Sequence, residues 1–219
     1  SARRYYPVML DLTGRTAVVI GGGAVATQKA RELIEARALV RIVSVELSAD
    51  LIVMERDGQV AVERRAYRYG DLAGAVVAIA ATDDRAVNRS VWKEANDRNV
   101  LLNAVDDVDH CHFIAPSVHR AGDITVTVST AGQCPALAVR LRERLSQVVR
   151  WEHAEFARLA ASIRNDVTRR IPDFTRRRRL WYGIVDSGAI GAIRSRDAAR
   201  ARDLIEQLIA RAERESRGY

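Results

Sequence analysis

The first residues that could do chemistry form a glycine-rich loop at Gly21–Gly23. The run before it, Thr16–Ile20, is mostly apolar and β-branched, which is typical of a strand buried on both faces. After the loop, apolar residues recur at helical spacing. Gly21, Gly23 and Ala26 match the G-x-G-x-x-A pattern, in which glycine allows a tight turn and lets the backbone approach a pyrophosphate. The stretch predicts a dinucleotide site at a helix N-terminus, where unpaired N–H groups attract phosphate.

Carboxylates follow later predicted strands, where they could serve a bound nucleotide. Glu46 comes just past a second apolar run, Val40–Val45, and about 20 residues beyond the glycines, where a carboxylate can accept hydrogen bonds from the adenosine ribose. Such a carboxylate disfavours a 2′-phosphate, so Glu46 favours NAD over NADP. Its alternative interpretation is a solvated loop charge. Asp106 ends a later run and is a candidate base, with a helix cap or turn former as the alternative.

Further apolar runs predict the elements that position these residues. The predicted strands are Val60–Glu63, Val76–Ala81 and Val100–Val105, and the predicted helices are Ser48–Arg56 and Arg85–Arg98. Asp84 is a plausible N-cap of the second helix. The order β-α-β-(α)-β-β-α-β predicts a parallel, doubly wound α/β sheet, in which ligands bind beyond the carboxyl ends of the strands. The glycine loop, Glu46, Thr82 and Asp106 all follow strands and should meet at that edge.

The pattern changes after His112. Phe113–Ala115 and Ile124–Ser129 are predicted to pair as strands around a turn at Arg120–Asp123. Pro135 suits the first turn of a helix that runs to about residue 150. This segment is too small to bury its own faces, so we expect it to pack on a partner or on a second copy of itself.

The last third of the sequence predicts helices. They begin at Trp151 and are interrupted at Pro172 and around Gly188–Gly191. Leu204, Leu208 and Ile209 mark the apolar face of the last helix.

Composition narrows the class of protein. The chain has 219 residues, of which 48% are apolar, so it can bury a core. No apolar run approaches the ~18 residues that span a membrane and no signal peptide opens the sequence, so we expect a soluble, cytoplasmic protein without a membrane partner. Cys111 and Cys134 are too few for a disulfide framework. The net charge of +7 suits nucleic acid, a membrane surface or a polyanionic small molecule.

Several short motifs, in order and at matching spacing, resemble one family: the precorrin-2 dehydrogenase/sirohydrochlorin ferrochelatase module of siroheme synthesis. The motifs are Tyr6-Pro7 with Leu10–Leu12, Gly21–Ala26, Ala80–Asp84, Asn103–Asp106, Phe113–Pro116, Ser129–Gly132, and Pro135–Ala138 with Arg140–Arg142. The resemblance covers nearly the whole chain. The module also occurs fused to a uroporphyrinogen methyltransferase, and this chain looks like the stand-alone form.

The resemblance implies three parts. These are an NAD-binding Rossmann domain over residues 1–112, a small α+β segment that makes a homodimer over 113–150, and a helical C-terminal domain over 151–219. It also implies NAD-dependent oxidation of precorrin-2 to sirohydrochlorin. In many members Fe²⁺ is then inserted to give siroheme. Whether this chain chelates metal, and whether Co²⁺ replaces iron, stays open at this point.

The resemblance also implies site residues. Cofactor contacts carry over to Ala24, Val25, Val45 and Glu46, beside the glycines Gly21, Gly22 and Gly23 and the strand-end residue Thr82. Asp106 matches the aspartate that the family implicates in both reactions. A carboxylate near the nicotinamide can take the proton lost during dehydrogenation, and metallation also releases pyrrole protons. The candidate substrate-binding residues are Asn103, His112, Ser129, Thr130 and Arg140.

The arginines suit such a substrate better than they suit nucleic acid. A tetrapyrrole fringed with acetates and propionates offers carboxylates that guanidinium groups bind in bidentate pairs. Candidates are Arg120, Arg140, Arg142 and the run Arg176–Arg179, for which a solvated helix face is the alternative. A nucleic-acid binder would interleave aromatic residues, which make up only 5% of this chain. We therefore expect no nucleic-acid partner.

His110-Cys111-His112 departs from the family pattern. Consecutive residues on an extended chain alternate faces, so the three side chains cannot converge on one metal ion, and we predict no resident metal site. His112 stands where the family has a small residue. It either faces the tetrapyrrole or has a structural or surface role. Arg37 replaces a glycine after the first helix, where left-handed backbone is expected.

Two functional classes fit this fold, since fold does not fix function. The first is the dehydrogenase, and the second is an NAD- or tetrapyrrole-binding sensor or carrier without turnover. Asp106 favours the enzyme, because a sensor needs no base beside the nicotinamide. A short-chain dehydrogenase is excluded by the lack of a Tyr-x-x-x-Lys sequence.

Overall fold

Five strands form a parallel sheet in the first half of the chain. The computed structural model describes residues 4–216. The strands are β1 (Thr16–Ile20), β2 (Leu39–Val43), β3 (Val60–Glu63), β4 (Val77–Ala80) and β5 (Leu101–Ala104). Their order is β3-β2-β1-β4-β5 and every pairing is parallel. This is the 3-2-1-4-5 order of dinucleotide-binding folds, so the predicted parallel sheet is confirmed.

Three helices cover the two faces of this sheet. They are α1 (Ala24–Glu35), α2 (Ala49–Arg56) and α3 (Arg85–Arg98). Side chains alternate along each strand, so Val19 and Ile42 pack on the face of α1 and α2. Val18 and Val43 pack on the face of α3. The helices that follow β1 and β2 lie on one face of the sheet, and the helix that follows β4 lies on the other. The change of face therefore falls between the neighbouring strands β1 and β4, and such sheets bind ligands in the crevice at that point.

Local signals set the ends of these helices. The carboxylate of Asp84 accepts hydrogen bonds from the amides of Ala86 and Val87, so the predicted N-cap is confirmed. α1 ends at Glu35. Arg37 has φ of 60°, the left-handed conformation expected at this position, and a helix cannot continue through it.

The predicted hairpin exists, but one of its strands was wrongly placed. β6 (Ser117–Ala121) pairs antiparallel with β7 (Ile124–Val128) around Gly122 and Asp123. The predicted strand at Phe113–Ala115 runs instead beside β5, where the Phe113 amide donates to the Leu102 carbonyl at 3.4 Å. Its backbone is therefore not available to β7.

Helices make up the rest of the described chain. They are α4 (Pro135–Val148), α5 (Trp151–Arg170), α6 (Phe174–Val185), α7 (Ala189–Arg194) and α8 (Ala198–Ser216). The predicted breaks occur at Pro172 and Gly188, although Gly191 lies inside α7. A further break after α7, where Arg196 has φ of 63°, was not predicted. The core of these helices includes Val167, Ile184, Ile205 and Ile209.

The chain divides into two compact units. Of the described residues, one unit contains 4–115 together with 131–133, and the other contains 116–130 and 134–216. The domain boundaries expected at 112/113 and 150/151 remain predictions. Between residues 4 and 216, no helix has both the length and the apolar character needed to cross a membrane.

Candidate functional site

The glycine loop lies between β1 and α1, at the carboxyl edge of the sheet. Gly21 has φ of 121°, and a Cβ on it would lie 2.2 Å from the carbonyl oxygen of Ala81. A Cβ on Gly22 would lie 1.9 Å from the carbonyl oxygen of Glu46. Neighbouring loops of the protein therefore require both glycines. At Gly23 a Cβ would meet no heavy atom of the described residues within 4 Å, so this part of the loop offers room for a ligand.

A chain of hydroxyl groups ties the glycine loop to the loop after β2. The Thr27 hydroxyl donates to the Gly23 carbonyl at 2.9 Å and lies 2.7 Å from the Ser48 hydroxyl. Ser48 caps α2 by accepting from the Leu51 amide, and its own amide donates to the Gly22 carbonyl at 2.8 Å. Sequence reasoning missed both residues. The available signals were a serine N-cap and a threonine able to bond back to the carbonyl four residues earlier.

The loop after β2 presents two of the predicted cofactor residues. The Ser44 hydroxyl donates to the Glu46 carbonyl at 2.7 Å, which shapes the loop. The side chains of Val45 and Glu46 are exposed, Val45 by 67%. A carboxylate and an apolar side chain are thus available next to the glycine loop, where an adenosine would need them.

Two further loops complete this edge of unit one. Ala24 and Val25 form the first turn of α1, whose amides have no acceptor within the helix. That turn holds no acidic residue, which favours a bound anion. Thr82 follows β4, where its hydroxyl accepts from the Asp84 amide at 2.9 Å and its carbonyl accepts from the Asn88 side chain at 2.9 Å. The open position at Gly23 and the N-terminus of α1 fit the pyrophosphate of NAD.

Asp106 occupies the loop after β5. Its φ of 58° is left-handed, a conformation that aspartate tolerates better than most residues. The side chain is exposed, and no hydrogen bond or ion pair of its carboxylate occurs within residues 4–216. The neighbouring Asp107 differs, because its Oδ2 lies 2.7 Å from Nδ1 of His110. Of the two adjacent carboxylates, Asp106 is the one left available for a substrate.

The sulfur of Cys111 and the side chain of Asn103 hold the end of this loop. Cys111 Sγ is buried and lies 3.1 Å from the amide nitrogen and 3.2 Å from the carbonyl oxygen of Ala104. Asn103 Nδ2 donates to the Phe113 carbonyl at 3.1 Å. This contact gives the Asn103 amide a structural partner, and its role towards a substrate remains a prediction.

Both ring nitrogens of His112 have partners inside unit one. Nδ1 accepts from the Leu102 amide at 3.1 Å, and Nε2 lies 3.3 Å from Oδ1 of Asn96. The ring stacks on Trp92, with centroids 4.6 Å apart, and the His110 ring meets the same indole edge-on at 5.4 Å. Burial lowers the pKa of His112 below its ordinary value of 6.5. The geometry thus favours the structural interpretation of His112, and its predicted substrate contact remains a prediction.

The remaining predicted site residues belong to unit two. Ser129 and Thr130 follow β7, and the Thr130 hydroxyl accepts from the Cys134 amide at 3.1 Å. Arg140 lies on α4 with its side chain 79% exposed and 3.0 Å from Glu143. Arg120 donates to the Thr125 hydroxyl at 3.1 Å. These residues are accessible, and their part in a site is proposed below.

The arginines of the run on α6 make different contacts. Arg177 donates to the carbonyls of Ile171 and Pro172, and so satisfies the end of α5. Arg176 donates to the carbonyl of Glu215 at 3.0 Å. Arg178 lies over the ring of Tyr182 at 5.8 Å. Part of the run is therefore structural rather than a uniform solvated face.

Two family models match the chain. The model NAD_binding_7, described as "Putative NAD(P)-binding", matches residues 8–117. The model described as the sirohaem synthase dimerisation region matches residues 153–209, which run from the first turn of α5 into α8.

Similar proteins agree with these matches. The siroheme synthase of Pseudoalteromonas translucida is 33% identical over 99% of this chain and 46% of its own length. That of Photobacterium profundum is 37% identical over 83% of this chain and 39% of its own length. The chain thus spans less than half of each of these relatives.

Among solved structures, "SirC, precorrin-2 dehydrogenase" matches with a TM-score of 0.78 and 27% identity, over 93% of this chain and 98% of SirC. Half of the chain fits the first family model, and nearly all of it aligns with siroheme synthases and with SirC. The chain therefore belongs to this NAD(P)-binding family, as a module of the siroheme synthase and precorrin-2 dehydrogenase type.

Proposed function

We propose that this protein catalyses the NAD-dependent oxidation of precorrin-2 to sirohydrochlorin. The observation that supports it most is the available carboxylate of Asp106, on the same edge of the parallel sheet as the glycine loop. The likeness to SirC over almost the full length of both chains adds to this. A dinucleotide loop alone would suit any NAD-binding protein, so the weight rests on Asp106.

The cofactor is held by the loops at the sheet edge. The first-turn amides of α1 bind the pyrophosphate next to Gly23, and the Glu46 carboxylate accepts hydrogen bonds from the adenosine ribose hydroxyls. Ala24, Val25, Val45 and Thr82 line the same edge. NAD, when bound, supplies a hydride acceptor. Glu46 makes NAD the preferred form, because a 2′-phosphate would meet its negative charge.

Asp106 serves as the proton acceptor. Oxidation of the reduced tetrapyrrole removes a hydride and a proton, and a carboxylate positioned at the reacting edge can take that proton. Asp107 is a weaker candidate, because His110 already engages its carboxylate at 2.7 Å.

The substrate is recognised through its carboxylates. Arg140 and Arg120 are exposed guanidinium groups, and arginine matches the planar geometry of acetate and propionate. Ser129, Thr130 and Asn103 are proposed to contribute further polar contacts, in line with the family resemblance, whereas His112, with both ring nitrogens engaged inside unit one, takes the structural alternative. For Asn103 such a contact would coexist with its hydrogen bond to the Phe113 carbonyl.

A homodimer is the proposed assembly. The face of α4 that carries Leu137, Leu141, Leu145 and Val148 is exposed in the single chain, with exposures of 37–63%. These residues recur every three or four positions and form one apolar stripe. A stripe of this kind on a helix with one buried residue, Ala138, is typical of a surface that another subunit covers.

The same site is proposed to accept Fe²⁺ as a second substrate, with Co²⁺ as the alternative ion. Insertion of a metal ion requires the pyrrole N–H protons to leave, and Asp106 could accept them as it does in the oxidation. Cys111 and Cys134 form no disulfide within the described residues, which suits a reducing compartment, and we propose that the enzyme is cytoplasmic.

Anaerobic incubation of the purified protein with precorrin-2 and NAD, followed by Fe²⁺, tests this function. We expect the absorption spectrum of sirohydrochlorin to develop only when NAD is present. Siroheme forming faster than in a protein-free control would add the chelatase. Binding of NAD or of the tetrapyrrole without turnover would instead identify a sensor or carrier.

A further inference from the structure

At Leu102, on the outer edge of β5, the backbone hydrogen bonds are made by His112 rather than by a neighbouring strand. β5 is the last strand of the sheet, and beyond it there is no sixth strand to bond with Leu102 among the described residues. The His112 amide donates to the Leu102 carbonyl at 2.8 Å, and the Leu102 amide donates to His112 Nδ1 at 3.1 Å. Leu102 is fully buried, so without His112 its amide would be left unpaired.

This arrangement determines which ring nitrogen of the neutral imidazole carries the proton. Because Nδ1 accepts a hydrogen bond, the ring proton is carried by Nε2, which then donates to Oδ1 of Asn96 on α3 at 3.3 Å. The ring also stacks on Trp92 of the same helix at 4.6 Å. The other titratable ring on Trp92 is that of His110, which is paired with the carboxylate of Asp107.

The segment between Leu102 and His112 contains Asp106. The chain leaves the sheet after β5, passes through the left-handed Asp106 and returns to the same strand at His112. The imidazole therefore fastens the base of this loop at Leu102, next to the contacts of the Cys111 sulfur with Ala104. We propose that His112 is a positioning residue: in its neutral form it closes the edge of β5 and holds the Asp106 loop in its working shape. The proposal rests on the proposed function only in taking Asp106 as the proton acceptor.

Protonation would undo the contact. A proton on Nδ1 would set two donors against each other at Leu102, so the closed edge requires the neutral ring. Burial lowers the pKa of His112 below 6.5, which keeps the ring neutral near pH 7. The groups packed against the ring, namely Trp92, Asn96 and the Leu102 backbone, carry no charge that would oppose this.

Two matched variants separate the two ring nitrogens. His112→Asn places an amide oxygen near the position of Nδ1 and cannot be protonated. His112→Gln instead reaches towards Asn96 and leaves Leu102 without its acceptor. We expect amide hydrogen exchange at Leu102 to be slow in the wild type and in His112→Asn, and roughly tenfold faster in His112→Gln, since an unpaired buried donor weakens the local structure.

Turnover provides the second readout. We expect His112→Gln to lower kcat about tenfold while the KM for NAD stays unchanged, because the loop and not the cofactor site is disturbed. His112→Asn should recover most of that loss. We also expect kcat of the wild type to fall as His112 is protonated below pH 6.5, and His112→Asn to lack this fall.

Nuclear magnetic resonance of the wild type gives the direct check. We expect the neutral His112 ring to carry its proton on Nε2. A proton on Nδ1, or equal exchange at Leu102 in the two variants, would overturn the closed edge. Unchanged kcat in His112→Gln would overturn the positioning role. A wild type inactive on precorrin-2 would overturn the proposed function, whereas the exchange pattern at Leu102 would still report on the edge.

Discussion

The three glycines of the first loop are adjacent in the chain, but each has different surroundings. Gly21 faces the carbonyl of Ala81 and Gly22 faces that of Glu46, so both are fixed by the packing of the protein. Gly23 faces open space within the described residues. Steric demand therefore explains the first two, and the third is the position at which a side chain would compete with a ligand.

Two substitutions distinguish these roles. Gly23→Asp should lower NAD affinity at least tenfold, because it sets bulk and negative charge against the pyrophosphate, while the melting temperature stays close to that of the wild type. Gly22→Ala should lower the melting temperature itself, because its Cβ would lie 1.9 Å from the Glu46 carbonyl oxygen. Calorimetric titration with NAD and thermal unfolding measure both effects. Unaltered NAD affinity in Gly23→Asp would contradict the loop assignment.

Asp106 and Asp107 can be separated in the same way. Asp106→Asn keeps the shape and tolerates the left-handed backbone, and it should lower kcat by about 10² or more while NAD still binds. Asp107→Asn, the matched control, should weaken the contact with His110 and retain far more activity. Rates with precorrin-2 and NAD decide between them. Full activity in Asp106→Asn would remove it as the proton acceptor.

Single residues also show where prediction from the sequence succeeds. The glycine loop and the Asp84 cap each belong to a short motif, a strand–loop–helix pattern and a helix N-cap, so their residue types predict their positions. Thr27 was missed because its bond to Ser48 joins residues that are distant in the chain. The contact of His112 with Leu102 likewise depends on how the chain returns to β5, which the residue type does not reveal.

At the scale of elements, buried strands were easier to predict than exposed ones. β1 was predicted with the bounds that the structure shows, and β4 was predicted one residue too long at each end, because continuous apolar runs are typical of strands in parallel sheets. β6 was misplaced because its residues include Ser117, His119 and Arg120, and the apolar run at Phe113 gave a stronger signal. That run is apolar because it packs beside the sheet core, not because it pairs in the hairpin.

The stripe on α4 yields a prediction at this scale. Leu141→Glu should convert the dimer to monomers, because it places a charge in an apolar contact between subunits. Gln147→Glu adds the same charge at another exposed position of α4 and should leave the dimer intact. Sedimentation velocity at matched concentrations measures both. If Leu141→Glu remains a dimer, the interface would instead be sought on α5–α8, where the family model of the sirohaem synthase dimerisation region matches.

At the scale of the molecule, each unit has one completely buried glutamate among the residues that the structure describes. In unit one, Glu94 accepts from the Tyr67 hydroxyl, the Leu72 amide and the Arg98 guanidinium at 2.6–3.1 Å. Burial, together with the hydrogen bond to the Glu94 carboxylate, raises the pKa of Tyr67. In unit two, Glu152 accepts from Arg194 at 2.8 Å. No sequence signal distinguishes these glutamates from exposed ones, because burial of a charge depends on partners supplied by other elements.

The carboxylates of unit one predict how stability depends on pH. Burial acts to raise the pKa of Asp71, but the bidentate bonds from Arg65 at 2.7 and 2.8 Å and the Arg68 amide outweigh it, so the pKa lies below its ordinary 3.8. A carboxyl group whose pKa is lowered by folding stabilises the folded state above its unfolded pKa. That stabilisation is lost as the pH falls from about 4 through the folded pKa.

Asp71→Asn should therefore lower the free energy of unfolding by about 2 kcal/mol at pH 7, because it breaks a largely buried ion pair. The difference from the wild type should shrink as the pH falls below about 4, where the wild-type carboxylate is itself protonated. Thermal unfolding between pH 3 and pH 8 measures this, with Asp203→Asn, at an exposed position of α8, as the control. A difference that stays constant down to pH 3 would show that Asp71 stabilises unit one by its shape and not by its charge.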